Sequence, residues 1–256
     1  MRNLTLTALE GMPEVAPGDD LARLVCRALA ATGIVLAPGD VLAVAQKVVS
    51  KAEGCLVELA SVSPTARAHD LGRITGKDPR YVQVVLDQSR EVLRAVPGVL
   101  VVEDLRGFVT ANAGIDQSNV PGTDRVLLLP PDADASARRL RQAIAALTGV
   151  TVGVLVNDSF GRAWRNGVVG TALGVSGFEA LVDLRGQADR EGRTLRISQV
   201  ALADELAAAA SIVMGQGAEG TPVVHVRGLP AQAAVGVAED SSVRDLLRAR
   251  AGDLFR

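Results

Sequence analysis

Aromatic side chains are nearly missing from this sequence: one tryptophan, one tyrosine and four phenylalanines make up 2% of its 256 residues. Proteins that hold single-stranded nucleic acid stack its bases on aromatic rings, so a platform of that kind is excluded. The charge balance agrees, because a net charge of −2 exerts no general attraction on a phosphate backbone. Cysteine and histidine are scarce as well. Cys26, Cys55, His69 and His225 stand far apart, whereas a zinc site wants its ligands a few residues from one another. Two scattered cysteines fit reduced thiols inside a cell. Long apolar runs are absent: MRNLTLTALEGMPE lacks the core of a signal peptide, and nothing approaches the roughly 20 residues of a membrane span. The expectation is a cytoplasmic protein with no nucleic-acid or membrane partner. Lysine is the last scarcity. Lys47, Lys51 and Lys77 are the only three, every other basic residue is arginine, and two of the three lie four apart.

What is present is enough for a large core, since a chain of this length buries roughly 70–75% of its extended surface on folding. Apolar spacing predicts a helix over 19–32 with Asp19 as its cap and Gly33 as its stop. A strand is predicted over 40–49 (DVLAVAQKVV), a helix from Ser63 and Pro64 to about Ile74, and another from Asp78 and Pro79 to just before Pro97. The stretches 99–103 and 107–111 read as a hairpin, 134–147 as a helix, and 150–156 (VTVGVLV) as a buried strand emptying into the loop NDSFGRAWRNG. Beyond it come a strand over 194–203, an alanine-rich helix over 205–214, a strand over 222–227, and a tail that is less ordered until a short helix in SSVRDLLRAR. There is no internal repeat. The class is α/β of the mixed α+β kind, because strict alternation fails at the hairpin. Residues 1–229 are expected to form one domain, with 230–256 as its tail.

Gly215, Gly217 and Gly220 satisfy G-x-G-x-x-G, but a dinucleotide fold needs that loop to follow a strand and open a helix. Here it follows a helix and opens a strand, so the Rossmann reading fails and a helix stop or another phosphate-approaching loop remains. No G-x-x-x-x-G-K-[ST] occurs, which removes the P-loop. Two polar loops at strand ends carry more. NAGIDQSN (112–119) and NDS (157–159) each offer a carboxylate beside amides or a hydroxyl, and Arg162 and Arg165 follow the second. Such oxygen donors suit a hard divalent cation, with arginines to hold phosphate, although Asn, Asp and Gly also form ordinary turns and arginines also pair at the surface. Lys47 and Lys51 are either edge charges against aggregation or point charges for a phosphate. His225 reads as a hydrogen-bonded strand residue and His69 as an exposed helix residue.

The sequence resembles the coenzyme F-420-0:L-glutamate ligase family over almost its whole length. The matching blocks are EGMPEVAPGDDLA (10–22), GDVLAVAQKVVSKAEG (39–54), GKDPRYVQVVLDQSREVLR (76–94), NAGIDQSNV (112–120), DADASARRLR (132–141), GVLVNDSFGRAWRNGVVGTALGVSG (153–177), DLRGQADREGRTL (183–195), ADELAAAASIVMGQG (203–217) and DLFR (253–256). The resemblance implies a family-specific fold in an intertwined homodimer and a reaction coupling L-glutamate to a deazaflavin precursor, F-420-0, with GTP, two divalent ions (Mg²⁺ or Mn²⁺) and K⁺. It implies metal ligands at Asp116, Asp158, Ser159 and Gln216. It implies nucleotide contacts at Glu10, Gly11, Met12, Pro13, Gln46, Lys51, Asn119, Met214, Gly215, Gln216 and Gly217. Asp116, Asp158 and Lys51 are then the catalytic candidates, and Arg162 and Arg165 the candidates for the acceptor's phosphodiester. The position after Asp158 is often threonine in relatives; serine keeps the hydroxyl. Some actinobacterial relatives continue past a DLFR-like end into a flavin-binding reductase-type domain, an activity expected to be absent here. Two alternatives remain: a related amide ligase for another carboxylate, and a nucleotide-binding regulator without catalysis.

Overall fold

The computed structural model describes residues 3–118, 122, 124–233, 235–236 and 241–253. In chain order the elements are β1 (Thr5–Ala8), α1 (Leu21–Ala31), β2 (Val41–Ala45), α2 (Gln46–Ala52), β3 (Leu56–Glu58), α3 (Ala66–Thr75) and α4 (Pro79–Asp87). Then come β4 (Ser89–Val96), β5 (Val99–Asp104), β6 (Val109–Ala111), β7 (Arg125–Leu127) and α5 (Ala133–Thr148). The chain continues with β8 (Gly153–Arg162), β9 (Arg165–Ser176), β10 (Val182–Asp183), β11 (Gln199–Val200), α6 (Leu202–Met214) and β12 (Val223–Arg227). The mixed α and β content predicted from the sequence is present.

Five strands form the main sheet in the order β1-β12-β2-β8-β9, and only β2 and β8 run parallel. Its apolar residues pack with α1, α5 and α6 into one core, to which Leu42, Leu155, Leu173 and Phe178 contribute fully buried side chains. A second core lies under the sheet β4-β5-β6, where Leu100 and Val102 meet Tyr81, Val82 and Val85 of α4, with Ile115 and Val126 on its border. Among the described residues no helix is long and apolar enough to cross a membrane.

Four boundaries differ from the sequence expectations, each for a local reason. The predicted strand over 40–49 ends at Ala45, and Gln46 opens a helix. A short run of apolar residues fits either period, and length alone did not decide it. The helix predicted to reach Pro97 stops at Asp87; the residues beyond pair with β5 through two irregular registers. The polar run after VTVGVLV is no loop, because NDSFGR continues β8 and pairs with β9 as far as Arg162↔Arg165. Of the strand predicted over 194–203, Gln199 and Val200 form the short β11, Thr194 makes an isolated bridge to Ala188, and α6 takes over at Leu202. Asp20 rather than Asp19 caps α1, its side chain accepting from the Arg23 N–H. In the tail Ala233 and Val243 are buried in the main core, and a 3₁₀ turn at Val243–Leu246 lies inside the predicted short helix.

Two helices press unusually close on β9. An extra residue, Leu173, interrupts its ladder with β8 between the pairs Val156↔Gly174 and Asn157↔Ala172. The neighbouring amides are taken up by helix carboxylates: Asp204 Oδ1 accepts from Ala172 N at 2.9 Å and Asp134 Oδ1 from Val175 N at 2.7 Å. Both helices close in only because β9 carries glycine where they touch. A Cβ on Gly170 would stand 2.2 Å from the Ala207 carbonyl oxygen, and one on Gly174 2.2 Å from the Ala133 carbonyl carbon. Gly170→Ala is therefore expected to destabilise the protein by about 1–3 kcal/mol through overpacking. Gly161→Ala, on the adjoining strand with nothing within 4 Å of its Cβ, should change stability by less than about 0.5 kcal/mol. Thermal unfolding of the two variants beside the parent measures the contrast.

Candidate active site

Strand pairing gathers four chain segments at one end of the main sheet. Because β2 and β8 run parallel with Ala45 opposite Asn157, Gln46 and Lys47 emerge beside Asp158 and Ser159. β12 runs antiparallel to β2, so its entry loop, 215–222, arrives at that same end, and Ala45 N donates to Pro222 O at 2.8 Å. β1 pairs antiparallel with β12, so residues 9–13 leave from there as well; Leu9 N donates to Val223 O at 2.8 Å. Together these segments enclose a cavity of about 410 Å³ whose wall includes Met12, Pro13, Gln46, Lys47, Lys51, Asn157, Asp158, Ser159 and the loop from Met214 to Pro222.

Asp116 comes from the other core. Its backbone pairs with Leu127, and the carbonyl of the next residue, Leu128, accepts from Gln46 Nε2 at 3.2 Å. The turn before it is bent, with Asn112, Ala113 and Gly114 all at positive φ (54°, 56° and 68°). For alanine that backbone costs about 1–2 kcal/mol, and the surroundings hold it in place: Tyr81 donates its hydroxyl to Ile115 O at 3.0 Å. Asp116 is not itself part of the cavity wall, but it meets a residue that is: Lys47 Nζ stands 2.7 Å from its Oδ2 and donates to Ser118 Oγ at 2.8 Å. Burial alone would raise the Asp116 carboxyl, but the hydrogen bonds from Lys47 and Ser118 and the Lys47 charge hold it below the ordinary range.

Asp158 is the opposite case. It lies midway along β8, opposite Thr171 of β9; burial pushes its carboxyl pKa up to about 6, and the Asp116 charge adds to the rise. The Ser159 N–H, 2.8 Å from Oδ1, and the Lys47 charge offset only part of this. Ser159 Oγ donates to Gln216 Oε1 at 2.6 Å, which ties β8 to the glycine loop. Asp116, Asp158, Ser159 and Gln216 thus present hard oxygen donors in one region, as Mg²⁺ or Mn²⁺ requires.

The remaining sequence candidates divide. Met12 and Pro13 line the cavity, whereas Glu10 and Gly11 stand behind them and Glu10 N donates to Thr32 Oγ1. Gln46 is buried and donates to Ser50 Oγ at 2.7 Å; because its Nε2 faces the Leu128 carbonyl, Oε1 is fixed on the other side and has no hydrogen-bond partner. Lys51 is buried and paired with Glu14. Gly215 and Gly217 lie in a loop that curls around its own Glu219. The amides of Glu219, Gly217 and Gln216 hold that carboxyl below its ordinary range, with Gly217 N donating at 2.7 Å. Met214 contributes its carbonyl to Thr221 Oγ1. Asn119 lies outside the described residues. Arg162 and Arg165 are exposed at the tip of the β8–β9 hairpin and are not part of the cavity wall. His225 is buried with Nε2 2.9 Å from Asp40 Oδ2, and His69 is exposed on α3.

Comparison with known proteins decides what this arrangement belongs to. Residues 11–228 match the model of the F420-0:Gamma-glutamyl ligase family. The chain belongs to that family. It is 43% identical to the coenzyme F420:L-glutamate ligase of Methanothermobacter thermautotrophicus over 99% of both chains. It is also 45% identical to that of Methanopyrus kandleri over the full length of both, and 47% identical to that of Natronomonas pharaonis over 86% of this chain and 84% of the other.

Three residues of the site carried weaker signals in the sequence. Lys47 shared its notice with Lys51, and its pairing with Asp116 spans 69 positions in the chain. Glu14 and Glu219 are exposed loop residues whose part in the site shows only in the fold, where Glu14 pairs with Lys51 and Glu219 accepts from the Gly217 amide. In this family member the raised Asp158 has a consequence for the protein alone. Folding holds that proton up to about pH 6 while the unfolded chain releases it near 3.8, so stability present at acid pH is lost as pH rises between the two values. Asp158→Asn removes this loss. The melting temperature of the variant relative to the parent, without added metal, should rise between about pH 4 and pH 6 and level off above; a pH-independent difference would contradict the assignment.

Proposed function

We propose that this chain is a GTP-dependent coenzyme F420 ligase that joins L-glutamate to F-420-0, and further glutamates through γ-linkages, by way of an acyl phosphate. The observation that supports it most is the meeting of Asp158, Ser159 and Gln216 with Lys47 and Lys51 around one cavity, with Asp116 joined to that wall through Lys47, in a chain of this family. A free carboxylate resists attack by an amine because its oxygen is a poor leaving group. In the proposed route an oxygen of the acceptor carboxylate attacks the γ-phosphorus and the bond to GDP breaks. The glutamate amine then attacks the acyl carbon, inorganic phosphate departs, and the amine gives up a proton. The protein's tasks are alignment and neutralisation of phosphate charge.

Asp116, Asp158, Ser159 Oγ and Gln216 Oε1 are the groups that would hold two divalent ions, and their all-oxygen chemistry fits Mg²⁺ or Mn²⁺. Such ions would supply positive charge to offset that of the phosphates. K⁺ prefers neutral oxygens, and the cavity wall offers two buried carbonyls without partners, Gln46 Oε1 and Asn157 Oδ1. Lys51, buried at the cavity wall, is suited to a phosphate oxygen. The loop from Met214 to Gly217 and residues Glu10 to Pro13 would frame the nucleotide. Arg162 and Arg165 would meet the acceptor's phosphodiester from the hairpin. The intertwined homodimer is proposed with the same reading, and the exposed Trp164, Val168, Ile197 and Ile212 supply apolar surface for it.

Incubation of F-420-0 with glutamate, GTP and Mn²⁺ or Mg²⁺ should yield products heavier by whole glutamyl residues on mass spectrometry. Phosphate release without such a product would point to another acceptor, and GTP binding with neither to a regulator. Asp158→Asn should lower turnover at least about 100-fold, the scale seen when a charge-stabilising group is removed, with its fold retained by circular dichroism. Lys51→Ala should weaken GTP binding by calorimetry about tenfold or more, as expected for loss of a charge-assisted contact.

A further inference from the structure

Two carboxylates share one ammonium at the sheet end. Lys47 Nζ touches Asp116 Oδ2 and Ser118 Oγ, and its charge also acts on Asp158. A single positive charge leaves the pair short by one, a deficit that a divalent ion removes. Nothing locks the ammonium in place: the Lys47 and Asp116 side chains keep 28% and 31% of their exposure, so exchange with solvent species is open. Lys47 also lines the cavity, in the first turn of α2, one turn before Lys51. Residues four apart on a helix share a face, so rotation about the Lys47 side chain carries its ammonium from Asp116 toward the space that Lys51 borders.

We propose that the Lys47 ammonium is a resident cation of the Asp116–Asp158 seat, that a divalent ion enters by displacing it, and that the freed ammonium turns to a phosphate oxygen of the nucleotide. This rests on the proposed reading of that seat as the metal site. The contrary view makes Lys47 a fixed strut that holds the loop of Asp116 against α2. A strut is needed for both metal and nucleotide, whereas a displaced cation opposes the first and assists the second.

The test uses the full chain without substrates. Binding of Mn²⁺ alone, followed by electron paramagnetic resonance, should be about five- to tenfold tighter in Lys47→Met than in the parent, the scale of one partly exposed ion pair. Lys47→Arg keeps the charge and should stay close to the parent. A non-hydrolysable GTP analogue should bind Lys47→Met more weakly, so the two effects have opposite signs. The unaltered protein supplies a second readout that needs no variant. With only three lysines in the chain, brief acetylation read by mass spectrometry should show Lys47 gaining reactivity on addition of Mg²⁺ alone while Lys77 stays constant. Mn²⁺ affinity equal or lower in Lys47→Met, or Lys47 reactivity unmoved by Mg²⁺, overturns displacement in favour of the strut. If the parent takes up no Mn²⁺, or takes it up equally after Asp158→Asn, the metal reading of the seat falls and this proposal with it.

Discussion

Two carboxylates and one ammonium, held together at the boundary between core and solvent, form the constraint around which this fold is arranged. Asp158 is pushed up to about 6 because burial and the neighbouring Asp116 both oppose its charge. Left to stability alone, such a pair would be replaced, since a buried charge without a full partner is among the costlier features a core can carry. Its place beside a cavity and a glycine loop is what the proposed site for cations and phosphates would demand. The strained turn through Asn112 and Ala113 is a second such expense in the same place.

The sheet makes this arrangement precise without long loops. A parallel neighbour places the end of β2 beside Asn157 and Asp158 midway along β8, and two antiparallel partners deliver the residues before β12 and after β1 to that edge. Each segment is fixed by backbone ladder bonds, which are stiffer than any side-chain contact. β9 then carries the helix that leads into the glycine loop. Gly170 admits the backbone of α6 at Ala207, and Asp204 on that helix answers the amide left open beside the bulge. Packing in the main core and geometry at the site are therefore coupled through one strand. The second core contributes Asp116, so the site also reports on how the two cores meet.

Much of this was legible from residues alone, and the failures have physical reasons. The amphipathic helices α1 and α5 announced themselves by spacing, and both polar segments bearing Asp116 and Asp158 stood out because carboxylates seldom end apolar strands without purpose. The run DVLAVAQKVV was read as strand throughout, because valine and alanine suit either state and no glycine or proline marks the change at Gln46. That misreading concealed the shared helical face of Lys47 and Lys51. NDSFGR was read as loop because polar composition usually means solvent. Here the segment is strand because β9 offers it a continuous ladder and Phe160 turns into the main core while its neighbours stay polar. The lone pairings that complete the site, Lys47 with Asp116 and Lys51 with Glu14, join distant positions and leave no local pattern to read.

The charges that would meet a metal–triphosphate complex all have internal partners in the protein alone. Lys47 holds Asp116, Lys51 holds Glu14, and Glu219 fills the ring of amides in the glycine loop. These partners are unequal in burial, and the inequality matters. Lys51 is sunk in the wall with 7% of its side chain exposed, so an ammonium there needs a counter-charge at all times. Its partner, Glu14, keeps 73% exposure, and an exposed carboxylate gives up little when it returns to water, of the order of 1 kcal/mol or less for such pairs. The buried member of the pair is thus the one built into the wall, and the exposed member is the one that can leave. In the proposed function, a phosphate oxygen arriving at Lys51 would replace a weakly held carboxylate rather than water around a bare charge. Preorganisation of this kind keeps the cavity close to neutral when empty and confines the rearrangement on binding to side chains at its rim.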